Sequence, residues 1–347
     1  MTGRHNPLQG IDSSPATLIA MIRTGVEARI ELFNDRHETA FRLFNGFLEG
    51  YPELVIDLYA RTVVIFNYSN PPVLSQTLID DLQPILLDLL PWLRAIIVKT
   101  RNATEERDRV GRLVYGEKAD RRITEHGVHY AIDLLINQDA SLYLDTRNLR
   151  QWAKTHLVDK SVLNTFAYTG SYGVAASAGG AERVLHLDLN RRYLNLAKSS
   201  YALNGIPIDP ANFIQGDFWI WVNRLKRASE LFDCVFLDPP FFSMTQGGRV
   251  DLLQHNKRVI NKVRPLIRDS GYLVAINNAL YVSGADYLRT LQNLCADGYL
   301  AIESFIPIPQ DFSGYAHTRV RELPVDPSPF NHSTKIAVLR VHRKDGR

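Results

Sequence analysis

Asp238-Pro239-Pro240-Phe241 follows the apolar run Val235-Phe236-Leu237. Two consecutive prolines fix φ and hold the neighbouring carbonyls in an extended line. Those carbonyls and the Asp238 carboxylate are hydrogen-bond acceptors, suited to an exocyclic NH₂ or a ring N–H. Phe241 or Phe242 can stack on a flat base, worth roughly 1–3 kcal/mol. The alternative is a strand-ending Pro-Pro turn with no chemistry. Three upstream segments bear on the choice. Val162 to Phe166 is apolar and runs into Thr169-Gly170-Ser171-Tyr172-Gly173 and then a small-residue stretch. Glycines there permit a tight turn and close backbone approach to a ligand, although the pattern is looser than the dinucleotide fingerprint. Arg183 to Leu187 is a second apolar run, and it ends in Asp188, 18 residues beyond Gly170, with Leu189 next. That is where such folds place a carboxylate to receive two ribose hydroxyls. Phe213 to Phe218 closes the series, offering Asp217 to an adenine amino group and Phe218 to the face of the base. Either acid alone reads equally well as an ordinary strand-end loop residue. In this order, and ahead of Asp-Pro-Pro-Phe, they describe a crevice that holds a nucleoside and presents a flat ring to it.

The elements needed to position these residues follow from periodicity. From residue 162 onward apolar strand and helix patterns alternate: 162–166, 171–178, 184–187, 190–203, 213–214, 217–227, 232–237, 251–268, 271–276, 284–297 and 300–306. Such alternation predicts βαβ units and a mostly parallel sheet. A proline-rich loop from Pro307 to Pro329 precedes a last strand, Lys335 to Val341. Before residue 126 the pattern differs. Leu18, Ile19, Ile22, Val26 and Ile30 recur at helical spacing within Pro15–Phe33, with Ser14 as N-cap. Strands are predicted over Thr39–Phe44, Leu54–Leu58, Thr62–Tyr68 and Ala95–Lys99, with a helix over Leu74–Leu93. Arg101–Arg122 is dense in mixed charge and reads as a solvated loop whose Arg107, Arg109, Arg112 and Arg121 could touch phosphate. His126–Leu135 reads as a hairpin, with His126 and His129 on opposite faces. The division expected is a flexible tail over 1–14, a small α+β domain over 15–125 and an α/β domain over 126–347.

The 347 residues suffice for two domains, and 45% hydrophobic content supports packed cores. A net charge of +3 is compatible with RNA without requiring it. Two cysteines, Cys234 and Cys295, argue against a disulfide framework and fit a reducing cytoplasm. The first residues carry no apolar secretory stretch, and Pro84–Val98 is too interrupted to span a bilayer. The histidines show no metal-ligand spacing, and no cysteine pair supports zinc, so no metal is expected. His255, Lys257, Arg258, Lys262, Arg264 and Arg268 form a basic stretch that suits phosphate or is a solvated face.

These residues resemble class I S-adenosylmethionine-dependent methyltransferases acting on bases of 23S ribosomal RNA. The likeness is carried by Phe41 to Gly46 with Glu49 to Tyr59, by Asn137 to Arg147 with its Leu-Asp-x-Arg ending, and by Asn164 through Phe241. It implies a doubly wound, mostly parallel, seven-stranded Rossmann-like α/β sheet, a smaller N-terminal α+β domain for RNA, and S-adenosylmethionine as cofactor. The extra N-terminal RNA-binding module of many relatives is not recognised in this chain. By the resemblance, Tyr143, Asp145 and Arg147 line the cofactor's methionine end, Asp145 taking the ammonium and Arg147 the carboxylate. A structural salt bridge between the two is the alternative. Thr169 and Gly170 lie under the methionine part, Asp188 and Leu189 at the ribose, Asp217 and Phe218 at the adenine, and Asp238 beside the reacting centre.

Relatives that methylate cytosine C5 need a cysteine adduct to make that carbon nucleophilic, and carry cysteines after the following strand. Here the matching segment, Gly271 to Leu280, has none, while Asn277-Asn278 is similar to a segment of the branch that methylates guanine N7. Direct transfer to a purine nitrogen, guanine in particular, is therefore expected, with Asp238, Pro239, Pro240, Phe241 and Asn277 as catalytic residues. RNA, ribosomal in origin, is the expected partner, with a cytoplasmic location, no membrane and a homodimer. Three other readings compete: a nicotinamide dehydrogenase on the same sheet, a methyltransferase of protein or small molecules (or of C5 type by another mechanism), and a non-catalytic RNA-binding module.

Overall fold

The computed structural model describes residues 15–72, 76–252 and 256–344. It divides into two compact units: residues up to Asp120 with Leu134–Asp139 and Gly314–Glu322, and Arg121–Asp133 with Ala140–Ser313 and Leu323 onward. The tail over 1–14 with its Ser14 cap, and His255, fall outside the described residues.

In the first unit α1 (Pro15–Glu27) precedes β1 (Ala40–Asn45), α2 (Gly46–Glu49), β2 (Leu54–Tyr59), β3 (Thr62–Asn67), α3 (Gln76–Leu89), β4 (Ala95–Thr100), α4 (Glu106–Val110) and β5 (Arg112–Tyr115). The strands form one sheet in chain order, antiparallel except where β4 runs parallel to β3. Leu18, Ile22 and Val26 of α1 and Leu82 and Leu86 of α3 bury against Phe41, Leu43, Ile56, Val63, Ile65 and Ile96. The first helix stops at Glu27, and a short 3-10 turn covers Ile30–Leu32, so the helical spacing overran the α-helix. Arg101–Arg122 is not the loop expected. It contains α4 and β5, and β5 pairs with β4 through Ile96–Tyr115 and Ile97–Leu113. An edge strand of four residues is too short to show its alternation among so many charges. Arg109 donates to the carbonyls of Ala103 and Thr104, and Arg112 pairs with Asp108, so both are engaged within the unit. Glu49, from one of the motifs carrying the resemblance, is buried and takes hydrogen bonds from Arg29 Nη1 (3.0 Å), Asn45 N (2.7 Å) and Thr318 Oγ1 (2.6 Å).

The second unit opens with a hairpin, β6 (Arg122–Glu125) and β7 (Val128–Ala131), with His126 in its turn at φ +51° rather than on a strand face. Then come α5 (Arg147–His156), β8 (Ser161–Thr165), α6 (Ser171–Ala178), β9 (Arg183–Asp188), α7 (Arg191–Leu203), β10 (Phe213–Gln215), α8 (Phe218–Arg227) and β11 (Phe232–Leu237). After them lie β12 (Phe242–Thr245), β13 (Gly248–Asp251), α9 (Asn256–Val263), β14 (Ile267–Asn277), α10 (Gly284–Cys295), β15 (Leu300–Phe305), α11 (Gln310–Ser313) and β16 (Lys335–Val341). The main sheet has seven strands in the order β10-β9-β8-β11-β14-β16-β15. The first five run parallel, and β16 lies antiparallel between β14 and β15. The doubly wound α/β reading is therefore correct. The order reverses between β8 and β11, and the crevice outside the carboxyl ends of strands at such a point is where ligands bind. The helix expected over 251–268 is shorter. Asp251 closes the β12–β13 hairpin and Ile267 already opens β14, an apolar run that periodicity alone does not distinguish from a helix.

Helix α6 sits hard against β9 because Gly173 carries no Cβ. A methyl there would meet His186 Cε1 at 2.3 Å and Val184 Cγ1 at 2.7 Å. His186 is core: wholly buried, stacked on Phe213, bonded to Tyr201 Oη at 3.0 Å, with burial pulling its pKa down to about 3. Gly173→Ala is expected to cost about 1–3 kcal/mol, the usual penalty of overpacking, read as a lower denaturation midpoint.

Candidate cofactor and acceptor site

The loop after β8 turns sharply: Phe166, Tyr168 and Gly170 all adopt positive φ, at +51°, +51° and +75°. Gly170 has a steric reason, since a Cβ would lie 2.6 Å from Ala197 Cβ. Phe166 and Tyr168 have no such freedom, and their left-handed backbone is the kind of local strain that gathers at ligand sites. What holds it is Asp188, at the end of the neighbouring strand β9. Asp188 Oδ2 accepts from Tyr168 N and Oδ1 from Asn190 N, each at 2.8 Å. Burial raises the Asp188 pKa, and these backbone bonds work against that shift. One strand further, Gly216 N binds the Asp188 carbonyl at 2.9 Å, and Asp217 caps α8 by accepting from Ile220 N at 3.0 Å. The parallel register Gln215–Asp188 thus sets the acids at 188 and 217 on adjacent strand ends.

A cavity of about 450 Å³ opens at these strand ends. Tyr143, Asp145, Asp188, Leu189, Asp217, Phe218, Asp238, Pro239 and Pro240 all line it, so nine of the residues singled out in the sequence converge. Phe166 stacks on Phe218 with centroids 4.5 Å apart, while Tyr143, Tyr168 and Tyr193 form a contiguous aromatic wall. Asp145 accepts from Thr334 Oγ1 at 2.9 Å. Asp238 Oδ2 accepts from Tyr172 Oη at 2.7 Å. Burial first, then the nearby Asp145, raises the Asp238 pKa to about 6, against the opposing Tyr172 hydrogen bond.

Five expected residues lie elsewhere. Thr169 and Gly170 stand behind the lining, the Thr169 hydroxyl donating to the Ser141 carbonyl at 2.5 Å. Phe241 is about half exposed and outside the cavity. Asn277 is buried with Oδ1 accepting from Ala279 N at 3.0 Å, whereas Ile276 and Asn278 line the cavity. Strand alternation explains this, since neighbours point to opposite faces and only one of the two adjacent asparagines lines the cavity. Arg147 departs most. Its guanidinium forms a 2.6 Å ion pair with Asp311, which is fully buried, and it is not among the lining residues. Asp311 lies 164 positions away, beyond the reach of any local pattern. Breaking a buried pair from one side strands a charge, typically at 3–5 kcal/mol, whereas replacing both partners by apolar groups can be neutral. Arg147→Ala should therefore sharply lower the thermal midpoint, and Arg147→Met with Asp311→Leu should restore most of it. Calorimetry of the two variants checks this.

Residues that the sequence reading passed over include Tyr172, Tyr193, Trp219 and Thr334, which all line the cavity. Tyr172 sits inside the glycine motif and was open to notice; Thr334 was not. Neither cysteine is near. Cys234 is buried in β11 with its thiol pKa well raised by burial, Cys295 is on α10, and neither lines the cavity. Among the described residues no cluster of three or more metal-ligating acids, histidines or cysteines occurs, and no helix is long and apolar enough to cross a membrane.

A doubly wound sheet with four carboxylates and stacked aromatics at its switch point defines a nucleoside-cofactor enzyme. A family profile described as S-adenosylmethionine-dependent methyltransferase matches residues 98–306, more than half of the chain. The chain belongs to that family, and S-adenosylmethionine is its cofactor. The cavity suits that group, since its volume lies in the usual range for such ligands and its acids and rings meet an ammonium, hydroxyls and a base. The Shewanella sediminis protein named ribosomal RNA large subunit methyltransferase K/L is 30% identical over 246 residues, covering 69% of this chain and 34% of its own length. The match thus spans about a third of that relative. YwbD of Bacillus subtilis, provisionally named a ribosomal RNA large subunit methyltransferase, is 29% identical over 273 residues, covering 76% of this chain and 67% of its own. The crystal structure of SMU.776 complexed with SAH superposes with a TM-score of 0.80 at 20% identity, over 96% of this chain and 83% of that one.

Proposed function

We propose that this protein methylates a base of large-subunit ribosomal RNA in the cytoplasm, by direct transfer to a purine nitrogen, guanine in particular. The observation that carries the reading is that Asp238, Pro239 and Pro240 share one cavity with Asp145, Asp188 and Asp217. The names of the Shewanella and Bacillus relatives support the choice of RNA.

Bound S-adenosylmethionine supplies an electrophilic methyl. The protein's work is to hold and to align, which can account for much of the barrier. Asp145 takes the ammonium, Asp188 the ribose hydroxyls with Leu189 against the sugar, and Asp217 the adenine amine under Phe218. Tyr143 closes the methionine end, while Thr169 and Gly170 shape the loop beneath it. Arg147, committed to Asp311, acts on this end through the turn that carries Asp145. Opposite, Asp238 and the proline carbonyls accept hydrogen bonds from the base, and Asn278, with Asn277 fixing its strand end, offers an amide to its edge. No cysteine lines the cavity, which favours direct transfer over a covalent adduct.

The hairpin β12–β13 suits an RNA strand outside the pocket. Its inward residues Ser243, Thr245 and Val250 line the cavity, while Phe242 and Met244 are exposed and Arg249 lies over the Phe242 ring at 5.1 Å. Such apolar groups beside a cation are a stacking surface for a base that has left its helix, with Phe241 adjoining. Arg258 and Lys262 are held over the Trp219 ring, at 4.9 and 5.7 Å, and could still reach phosphate. The test is transfer of a labelled methyl group to protein-free 23S RNA, followed by mass mapping. Label on a guanine supports the reading, and label on protein alone, with none on RNA, rejects it.

A further inference from the structure

We propose that Tyr172 is a positioning residue that fixes which oxygen of Asp238 faces the methyl acceptor. The proposal rests on the reading of Asp238 given above. Register explains why the two meet: β8 and β11 lie side by side with Thr165 opposite Leu237, so the turn into α6 adjoins the turn at Asp238. Tyr172, in the first turn of α6, is buried, its ring 5.4 Å from that of Phe236. Its hydroxyl is 2.7 Å from Asp238 Oδ2, and Oδ1 has no side-chain partner among the described residues. One oxygen is therefore occupied, and the other is left for the substrate in a cavity that Asp238 lines.

Arg150, whose charge acts on Tyr172, belongs to a polar network of its own. The Thr146 hydroxyl in it donates to the Tyr143 carbonyl at 3.0 Å. Arg150 Nη1 donates to Thr146 Oγ1 at 2.9 Å, and Arg150 makes a bidentate pair with Glu125 at 2.7 Å for each bond. Arg150 and Glu125 are both buried. A buried phenol needs an acceptor, and a peptide carbonyl would serve for structure alone. Here the acceptor is the carboxylate at the reacting end.

The groups facing Asp238 are Tyr172 from α6 and Asp145 from the turn before α5, with Arg150 behind Tyr172. The phenol stabilises the ionised carboxylate and Asp145 opposes it. Removing the phenol therefore leaves Asp238 easier to protonate. Tyr172→Phe keeps the ring and deletes only the hydroxyl. Its kcat is expected to fall about ten- to a hundredfold with cofactor affinity held within about twofold, the pattern of lost alignment rather than lost binding. The acid limb of its kcat profile should move to higher pH. An infrared titration of the apoprotein, with the Asp238→Asn spectrum subtracted, should show the Asp238 carboxylic acid persisting to higher pH than in the parent. An unchanged kcat profile and an unchanged titration would overturn the proposal. Tyr172→Leu, which also lacks the hydroxyl, should shift both in the same direction, and it decides the matter should Tyr172→Phe fail to fold. Asp238→Asn separates the two readings. Full activity in that variant defeats the role of Asp238 itself, whereas an inactive Asp238→Asn beside a parental Tyr172→Phe defeats only the positioning.

Discussion

Asp188→Ala should weaken S-adenosylmethionine binding by about a hundredfold or more, measured by titration calorimetry. Charge-assisted hydrogen bonds are worth about 1.5–3 kcal/mol each, and two ribose hydroxyls would be lost with the carboxylate. A total near 3 kcal/mol is roughly two powers of ten in Kd. From sequence alone the same substitution would spare the fold, since the carboxylate is read as serving only the ligand. The structure adds a second job. Asp188 ties down Tyr168 N and Asn190 N, and so secures a loop in which Phe166 and Tyr168 hold positive φ. The variant should therefore also lose some thermal stability without cofactor. Asp188→Asn separates the two jobs, because the amide keeps an acceptor for one backbone N–H while giving up the charge. If Asp188→Ala binds the cofactor within threefold of the parent, the ribose assignment fails.

Asp238→Asn should lower turnover by about a hundred- to a thousandfold, in the range ascribed to one preorganised polar contact in a closed site. It should also make the apoprotein more stable at neutral pH. The sign follows from the direction of the shift. Burial raises the Asp238 pKa from 3.8 to about 6, so the folded state binds this proton more tightly than the unfolded chain does. Above about pH 6 the ionised carboxylate costs the fold on the order of 3 kcal/mol. That cost shrinks as the pH falls from about 6 toward 4, and is gone below the unfolded value. The amide carries no such cost and can still accept from Tyr172. Its stability advantage should be largest at neutral pH and vanish near pH 4, as seen in urea midpoints across that range. An advantage that stayed constant with pH would show that Asp238 is not held as a costly charge. The two halves of the prediction belong together, since a site that stabilises a reacting group does so by keeping polar groups where folding alone would not put them.

How much was legible depended on distance along the chain. The order of β8, α6, β9, α7 and β11 could be read from local periodicity, because each element's buried face is written in residues two to four positions apart. The acids at 188 and 217 were legible for the same reason, as each ends an apolar run. The short strands were not. Arg112–Tyr115 is edge structure among charges, and Phe242–Asp251 is a hairpin whose alternation is hidden by exposed Phe242 and Met244. Asn277 and Asn278 show the limit most simply: one residue of register decides which amide reaches the cavity, and adjacent identical side chains give no local signal.

By itself the sequence determined the doubly wound order, the small-residue helix behind the glycine turn, the strand-end acids and the Asp-Pro-Pro-Phe turn. Tertiary structure alone decided that Tyr172 holds one oxygen of Asp238 across 66 positions, that Arg147 answers Asp311 across 164, and that Thr334 meets Asp145 across 189. The physical reason is that a helix or strand is selected by the burial of its own neighbours. The partner of a polar side chain is instead selected by which strands the sheet happens to set side by side.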